Sequence, residues 1–461
     1  MKKALKLLSL LLILPLASCG SEQTQESGSS RQSGGRKKQL TYLVSGESDT
    51  YKNILNQLLR EFNDSIASEG YEIVTETPGG EYYQSLGSKF SANKAPDIFQ
   101  MEIGNFNAYK ALMAPLDEYI DNSSVLSKDD LWDLNDAYKF DGTYRALIKD
   151  FSPDFMLIYN KSLLNEYNQS HPTRQFTISD TTPMSWDDFY SMVSTIQKEM
   201  NINYGTSLGF CGIKHLHELV QSTGASMYIN DGHDLNESDA NVRKAFEFYC
   251  ALQKDNASDL SYYRLNQNGG KAPGSYTSGS NLSEDQLFAQ RKTFSIFNGL
   301  YAFPSYGFYD LPFEVGIAPH PVLNPEQGAY ATTSAMVAHA ISIKSKYKDI
   351  AYRWLEYYQT EGLKRMATIA YNIPGSKSVA GSDAFLNNSN PKVAQVASYF
   401  YNFVDSGVVH PTQYNPNISY LKLETCYTTH LGKYYDKENS LSFDNLIIEI
   451  GKSIKAAAKE I

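Results

Sequence analysis

Several stretches of the chain carry residue types that do chemistry in other proteins. Gly205 to Gly209, "GTSLG", satisfies G-x-S-x-G. That spacing presents a serine on a sharp turn between a strong strand and a helix that follows at once. The flanks here are "NINY" and "FCGIKH", which supply neither, so Ser207 is read as non-catalytic. "HLHE" brings His215, His217 and Glu218 together, but residues two apart do not share a helix face. Only an extended strand would let the two histidines hold one zinc ion, and that alternative stays open. The loop "NDGHDLNES" from Asn230 has a calcium-loop composition without the bidentate glutamate such a loop needs. Asp187 and Asp188 are a carboxylate pair, as glycoside hydrolysis requires, yet they lie just behind Ser185 at a helix start, where acids complement the helix dipole. The expectation is no catalytic residue, no metal and no cofactor.

The elements around these residues alternate between strand and helix. "LTYLV" from Leu40, "YEIVTET" from Tyr71 and "DIFQM" from Asp97 are strand patterns. Between the first two, Ile54, Leu55, Leu58, Leu59 and Phe62 share one helical face. This is the βαβ pattern of a sheet covered by helices. "SWDDFYSMVSTIQ" opens with a capping box at Ser185 and Asp188, and Trp186 belongs to the apolar start of that helix. Val242, Phe246, Tyr249 and Cys250 form another stripe, as do Ile350, Ala351, Trp354, Leu355 and Tyr358. "TFSIFNG" is a strand ending on Gly299, and residues 266–283 read as a long loop. The segment 144–159 runs extended through turn-prone residues, as a passage between lobes would. The class is α/β, and some 420 residues exceed what a single core holds, so two lobes are expected.

The ends and the composition add a location. Lys2, Lys3 and Lys6 precede the apolar run Leu7–Leu16, too short to cross the hydrocarbon core. Leu16-Ala17-Ser18-Cys19 resembles the lipobox of bacterial lipoproteins, in which the cysteine thiol receives diacylglycerol. On that reading residues 1–18 are a signal peptide and Cys19 is the lipidated N-terminus; an ordinary secretory cleavage beside a cysteine is the alternative. Residues 20–39 contain no apolar side chain, so 19–39 is expected to be a disordered leash. The net charge is −10; without residues 1–18, which hold three lysines and no acid, it is −13. Such a balance excludes a nucleic-acid partner, whose phosphates need neutralising. Cys211, Cys250 and Cys426 allow at most one disulfide.

"LTYLVSGE", "APDIFQM" with "YKALMAPLDEYI", "FDGTYRALIKDFSPDFMLIYNKSLL", "MSWDDF", "FSIFNGLYAF", "VGIAPHPV", "AISIKSKYKDIAYRWLEYYQTEG" and "NIPGSKS" follow one another in the order found in the solute-binding proteins of ABC importers. The chain thus resembles the large family that includes maltose-binding protein. The resemblance implies a two-lobed periplasmic-binding-protein-like fold with a multi-strand hinge. Lobe 1 would comprise 40–150 and 336–388, lobe 2 residues 151–335 and 389–461, with crossings near Ala146–Asp154, Thr332–Ala340 and Asp383–Pro391. It also implies a monomer that captures a small-molecule ligand, a sugar, and delivers it to ABC permease subunits, held at the membrane through its lipid anchor. A receptor for a metal, peptide or anion, or a secreted carbohydrate-active hydrolase, are the other readings. Sugar hydroxyls want charged or amide partners and sugar C–H faces want flat rings; 34 Tyr and 22 Phe beside 3 Trp suit such a cleft. The candidates are Ser45, Glu47 and Asp49 after the first strand, where the family places polar contacts, and Gln100 and Glu102 at the end of "DIF". Asp150 and Asp154 lie in the crossing and Glu81 heads a loop. Gly299 and Tyr301 occupy the "NGLY" turn, where family members often carry Trp, and Tyr414 would supply a second ring from the other lobe.

Overall fold

The computed structural model describes residues 37–45, 48–207, 212–255, 261–262, 282–435 and 441–460. Two sheets organise them. The first has six strands in the order Ile373–Pro374, Ala146–Phe151, Val337–Ile341, Ile98–Glu102, Lys38–Leu43, Tyr71–Glu76. The second has five, in the order Ser261–Tyr262, Tyr204–Ser207, Thr293–Asn298, Met156–Asn160, Val315–Ala318. In the first sheet Lys38–Leu43 runs parallel to both its neighbours, while Val337–Ile341 is antiparallel to Ile98–Glu102 and to Ala146–Phe151. Strands buried on both faces, such as Ala146–Phe151 and Met156–Asn160, mark sheets covered by helices on each side.

The helices form where caps and apolar stripes coincide. Ser48 accepts from the Tyr51 amide and opens Asp49–Ile66, whose buried face is Tyr51, Leu55, Leu58, Leu59, Phe62 and Ile66. Ser185 opens Trp186–Glu199 in the same way, and Trp186 is 2% exposed. The stripe from Ile350 continues without a break into a π-helical turn, Tyr358–Gly362, where the Tyr358 hydroxyl meets that of Tyr51 at 2.6 Å.

The chain changes sheets at residues 152–155, a shorter passage than the extended sequence implied, because Ala146–Phe151 and Met156–Asn160 are each fully paired in their own sheet. Phe155, fully buried, sits there with φ of 56°. A bulky residue adopts that conformation only when its surroundings hold it. The return uses Ala331–Thr333, which pairs in parallel with Val409–Pro411 as a separate two-stranded sheet. At the start, Lys38 and Gln39 are already strand, paired with Tyr71 and Glu72. Polar side chains had placed them in the leash; parallel pairing uses backbone alone, and the Gln39 amide donates to Glu72. Cys19, residues 1–36, Glu47, Cys211 and most of 266–283 lie outside the described residues. Cys250 and Cys426 are buried. Among the described residues no helix is long and apolar enough to cross a membrane.

Candidate functional site

A cavity of about 310 Å³ opens at the carboxyl ends of the first sheet's central strands, where ligands of open α/β sheets bind. One wall comes from the first-sheet side. Ser45 follows the strand Lys38–Leu43 and donates its amide to Gln100 Oε1 at 2.7 Å. Gln100, 1% exposed, and Glu102 end the strand Ile98–Glu102. Tyr82 and Tyr83 start a helix that Glu81 caps, its carboxylate accepting from the Gln84 amide at 2.9 Å. The two rings stand edge to face, 5.0 Å apart. The Tyr83 hydroxyl accepts from the Glu102 amide at 2.8 Å, so these aromatics are locked to the strand end.

The facing wall is Tyr420, Leu421 and Glu424, on the helix Tyr420–Tyr435. That helix packs against Phe443–Ala457 and reaches the second-sheet side through the stacked rings of Tyr427 and Phe246. Tyr420 and Glu424 are four apart and so share a face. Burial pushes the Glu424 carboxyl up, opposed by the ammonium of Lys214, which also lies 5.3 Å from the Tyr420 ring centre.

Beside the cavity Tyr414 joins the two sides. Its ring lies 5.4 Å from Tyr420 and 5.2 Å from His217. A Cβ on Gly104, at the start of the helix Ile103–Tyr109, would come within 3.2 Å of it. Glycine there allows the close approach. Deeper, Asp154 takes a hydrogen bond from the Ser334 amide and gives its own amide to Thr332 O at 2.8 Å. Thr332 donates its hydroxyl to Glu218 at 3.0 Å. Burial raises the pKa of both carboxyls.

Four of the expected residues, Ser45, Glu81, Gln100 and Glu102, therefore line this cavity together. Asp49 is exposed in the first helical turn, 3.7 Å from Lys52. Asp150 pairs with Lys149 at 3.1 Å and accepts from Asn372. A Cβ on Gly299 would fall 2.6 Å from Ser152 Oγ, so its small size serves the crossing segment. Tyr301 is half-buried at the N-terminus of the helix Ala302–Tyr306. Tyr82, Tyr83, Asn105, Tyr420 and Glu424 escaped sequence reasoning. The paired tyrosines after Gly79-Gly80 and the i, i+4 spacing of Tyr420 and Glu424 were the available signals.

The motifs that looked chemical resolve otherwise. "HLHE" is helical, within Ile213–Gln221. His215 meets His320 Nε2 to Nε2 at 2.9 Å, while His217 meets the Tyr228 hydroxyl at 2.8 Å. The strand that a zinc site needed is absent, and no metal-holding cluster occurs among the described residues. Burial pushes His215 down to about 3 and His217 to about 4, so both are neutral. Ser207 does end a strand, contrary to the reading of "NINY", because Tyr204–Ser207 pairs on both edges. It is fully buried and donates to Glu284 at 3.0 Å. Asp234, in the calcium-like loop, is engaged by Lys455 and Asn230.

Residues 67–364 match the family model described as bacterial extracellular solute-binding protein. A search of curated protein sequences finds no match. Among solved structures, an ABC substrate-binding protein from Listeria monocytogenes in complex with cycloalternan superposes with a TM-score of 0.70 at 16% identity, over 91% of this chain and 98% of that one. The sugar-binding protein MalE from Xanthomonas citri gives 0.70 at 14% identity, over 92% and 98%. Maltose-bound MalE3 of T. maritima gives 0.67 at 16%, over 91% and 99%. Similarity at this identity establishes the two-lobed α/β fold.

Proposed function

Because the chain belongs to the bacterial extracellular solute-binding proteins, a family of binding proteins and not of enzymes, we propose that it captures a carbohydrate between its lobes and delivers it to an ABC permease. The observation that carries this reading is the cavity between two walls drawn from different sides of the molecule. Its lining combines tyrosine rings with amide, hydroxyl and carboxylate groups. Rings cover the C–H faces of a sugar and charged acceptors take its hydroxyls. A volume of about 310 Å³ suits one or two sugar rings, at the lower end of the range of roughly 300–1,000 Å³ for small-molecule sites. Asp154, Tyr301 and Tyr414 belong to the deep end of the same cleft. Ligand touching both walls favours the closed form by its differential affinity. Cys19, lipidated, keeps the receptor beside its permease.

Thermal-shift screening of the soluble receptor against neutral mono- and oligosaccharides tests the proposal. A ligand at 100 times its dissociation constant adds about 2.7 kcal/mol to stability. No shift across a broad sugar panel, with a shift from a peptide, anion or metal, refutes the carbohydrate assignment and leaves a receptor of another solute.

A further inference from the structure

Three carboxylates line the cavity, Glu81 and Glu102 on one wall and Glu424 on the other, and no lysine, arginine or histidine is among its lining residues. Glu81 is engaged as a helix cap. Glu102 makes no ion pair with a described residue, and Glu424 has only Lys214 as a nearby cation. A fourth carboxylate, Asp154, stands behind them. It is 1% exposed, and its Oδ1 has no hydrogen-bond partner among the described residues. Lys214 lies near Asp154 as it does near Glu424, and the charge of Glu102 is felt at Tyr414, the ring wedged against Gly104 and Tyr420 at the edge of the cavity. A neutral sugar needs acceptors for its hydroxyls, but it needs equally the donors that lysine and arginine commonly supply. A lining that is anionic on both sides offers more than that need. Within a closing, poorly screened cleft, an ammonium group gains charge-assisted hydrogen bonds, and a ligand carboxylate meets like charge on each wall.

We propose that the cleft ranks its solutes by charge: an amine-bearing sugar binds tighter than its neutral parent, the matching uronic acid is rejected, and Glu102 and Glu424 set that order. The inference rests on the carbohydrate reading above. At about 5 Å and an effective dielectric near 20, one carboxylate changes binding by up to about two orders of magnitude. Desolvation of the ammonium removes much of the gain, so about tenfold tighter binding is expected for the amine, and at least a hundredfold weaker binding for the acid.

Titration calorimetry of the intact soluble receptor at pH 7 tests it. The probes are glucose, galactose and mannose and their common disaccharides, each as the neutral sugar, the 2- and 6-amino sugars, the N-acetyl derivative and the uronic acid. The expected order is amine, neutral, acid, with the N-acetyl form falling back towards neutral. The spread should narrow at 1 M salt, where exposed charge is screened. Neutral sugars that bind as tightly as their amines, or uronic acids that bind as well as neutral sugars, overturn the ranking and leave the carbohydrate reading standing. Failure of every sugar overturns both. Glu102→Gln and Glu424→Gln should each cut the amine-to-acid ratio about tenfold, with the unliganded Tm confirming the fold. A ratio unchanged in both variants overturns the assignment to these residues.

Discussion

Gly375→Ala puts the packing of the first lobe to a strict test. Gly375 follows the edge strand Ile373–Pro374, and a Cβ there would lie 1.8 Å from Ile148 O and 2.6 Å from Ile148 C. Both are backbone atoms inside a fully buried strand, so no flexible side chain can give way. An ordinary carbon–oxygen contact needs roughly 3.3 Å, so the edge must retreat by about 1.5 Å. That retreat strains three hydrogen bonds: Gly375 amide to Lys149 O at 3.0 Å, Gln359 Nε2 to Ile148 O at 2.8 Å, and Trp132 indole to Pro374 O at 2.9 Å. At about 1 kcal/mol each, with 1–3 kcal/mol for overpacking, the expected loss is about 4–6 kcal/mol. Urea unfolding with linear extrapolation measures it. Gly70→Ala is the control. It has φ of 78° but open space around its Cβ position, so it should cost only about 1 kcal/mol. A Gly375→Ala loss no larger than the control's would show that the edge strand moves freely and would refute the packing argument.

Stability should rise with pH up to about 6.5 when unfolding is measured across pH. Below about 6.5, buried His215, His217, His320 and His339 resist protons that the unfolded chain takes up, each contributing about 1.4 kcal/mol per pH unit; the carboxyls of Glu218, Asp154 and Glu424, raised by burial, act in the opposite sense but are fewer. A stability that is flat or falling between about pH 4.5 and 6.5 contradicts this arrangement. Cys19→Ala should move the protein from the membrane fraction to the soluble one or leave it unprocessed, and mass spectrometry showing an unmodified Cys19 at the mature N-terminus would count against lipidation. Saturating sugar should shrink the radius of gyration in small-angle scattering, and an unchanged profile at full occupancy would argue against lobe closure. Tyr301→Ala and Tyr420→Ala should each weaken sugar binding by at least about 1 kcal/mol in calorimetry, with Tyr301→Trp retaining it; full affinity in either Ala variant would make that ring a packing residue only.

Periodicity and capping were enough to read the α/β class, the helix from Asp49 to Ile66 and the strand ends that carry Ser45, Gln100 and Glu102, since each depends on neighbours in sequence. Local order along the chain likewise sufficed to recognise the family. The facing wall was not legible, because Tyr420 and Glu424 meet Glu102 only through a fold that returns the chain more than 300 residues later. The same holds for Asp150 and Gly299. Their residue types fit a ligand site, yet Asn372 engages Asp150 and Ser152 crowds Gly299, and those contacts come from strand neighbours and chain crossing. "HLHE" and "NINY" show the limit most directly. A helix and a strand form there because buried tertiary partners, His320 and the neighbouring strands of the second sheet, outweigh weak local signals. Sequence alone determined which elements exist and which family they compose. Tertiary structure decided which polar groups are left facing a cavity, because a side chain's availability depends on partners that only folding brings within reach.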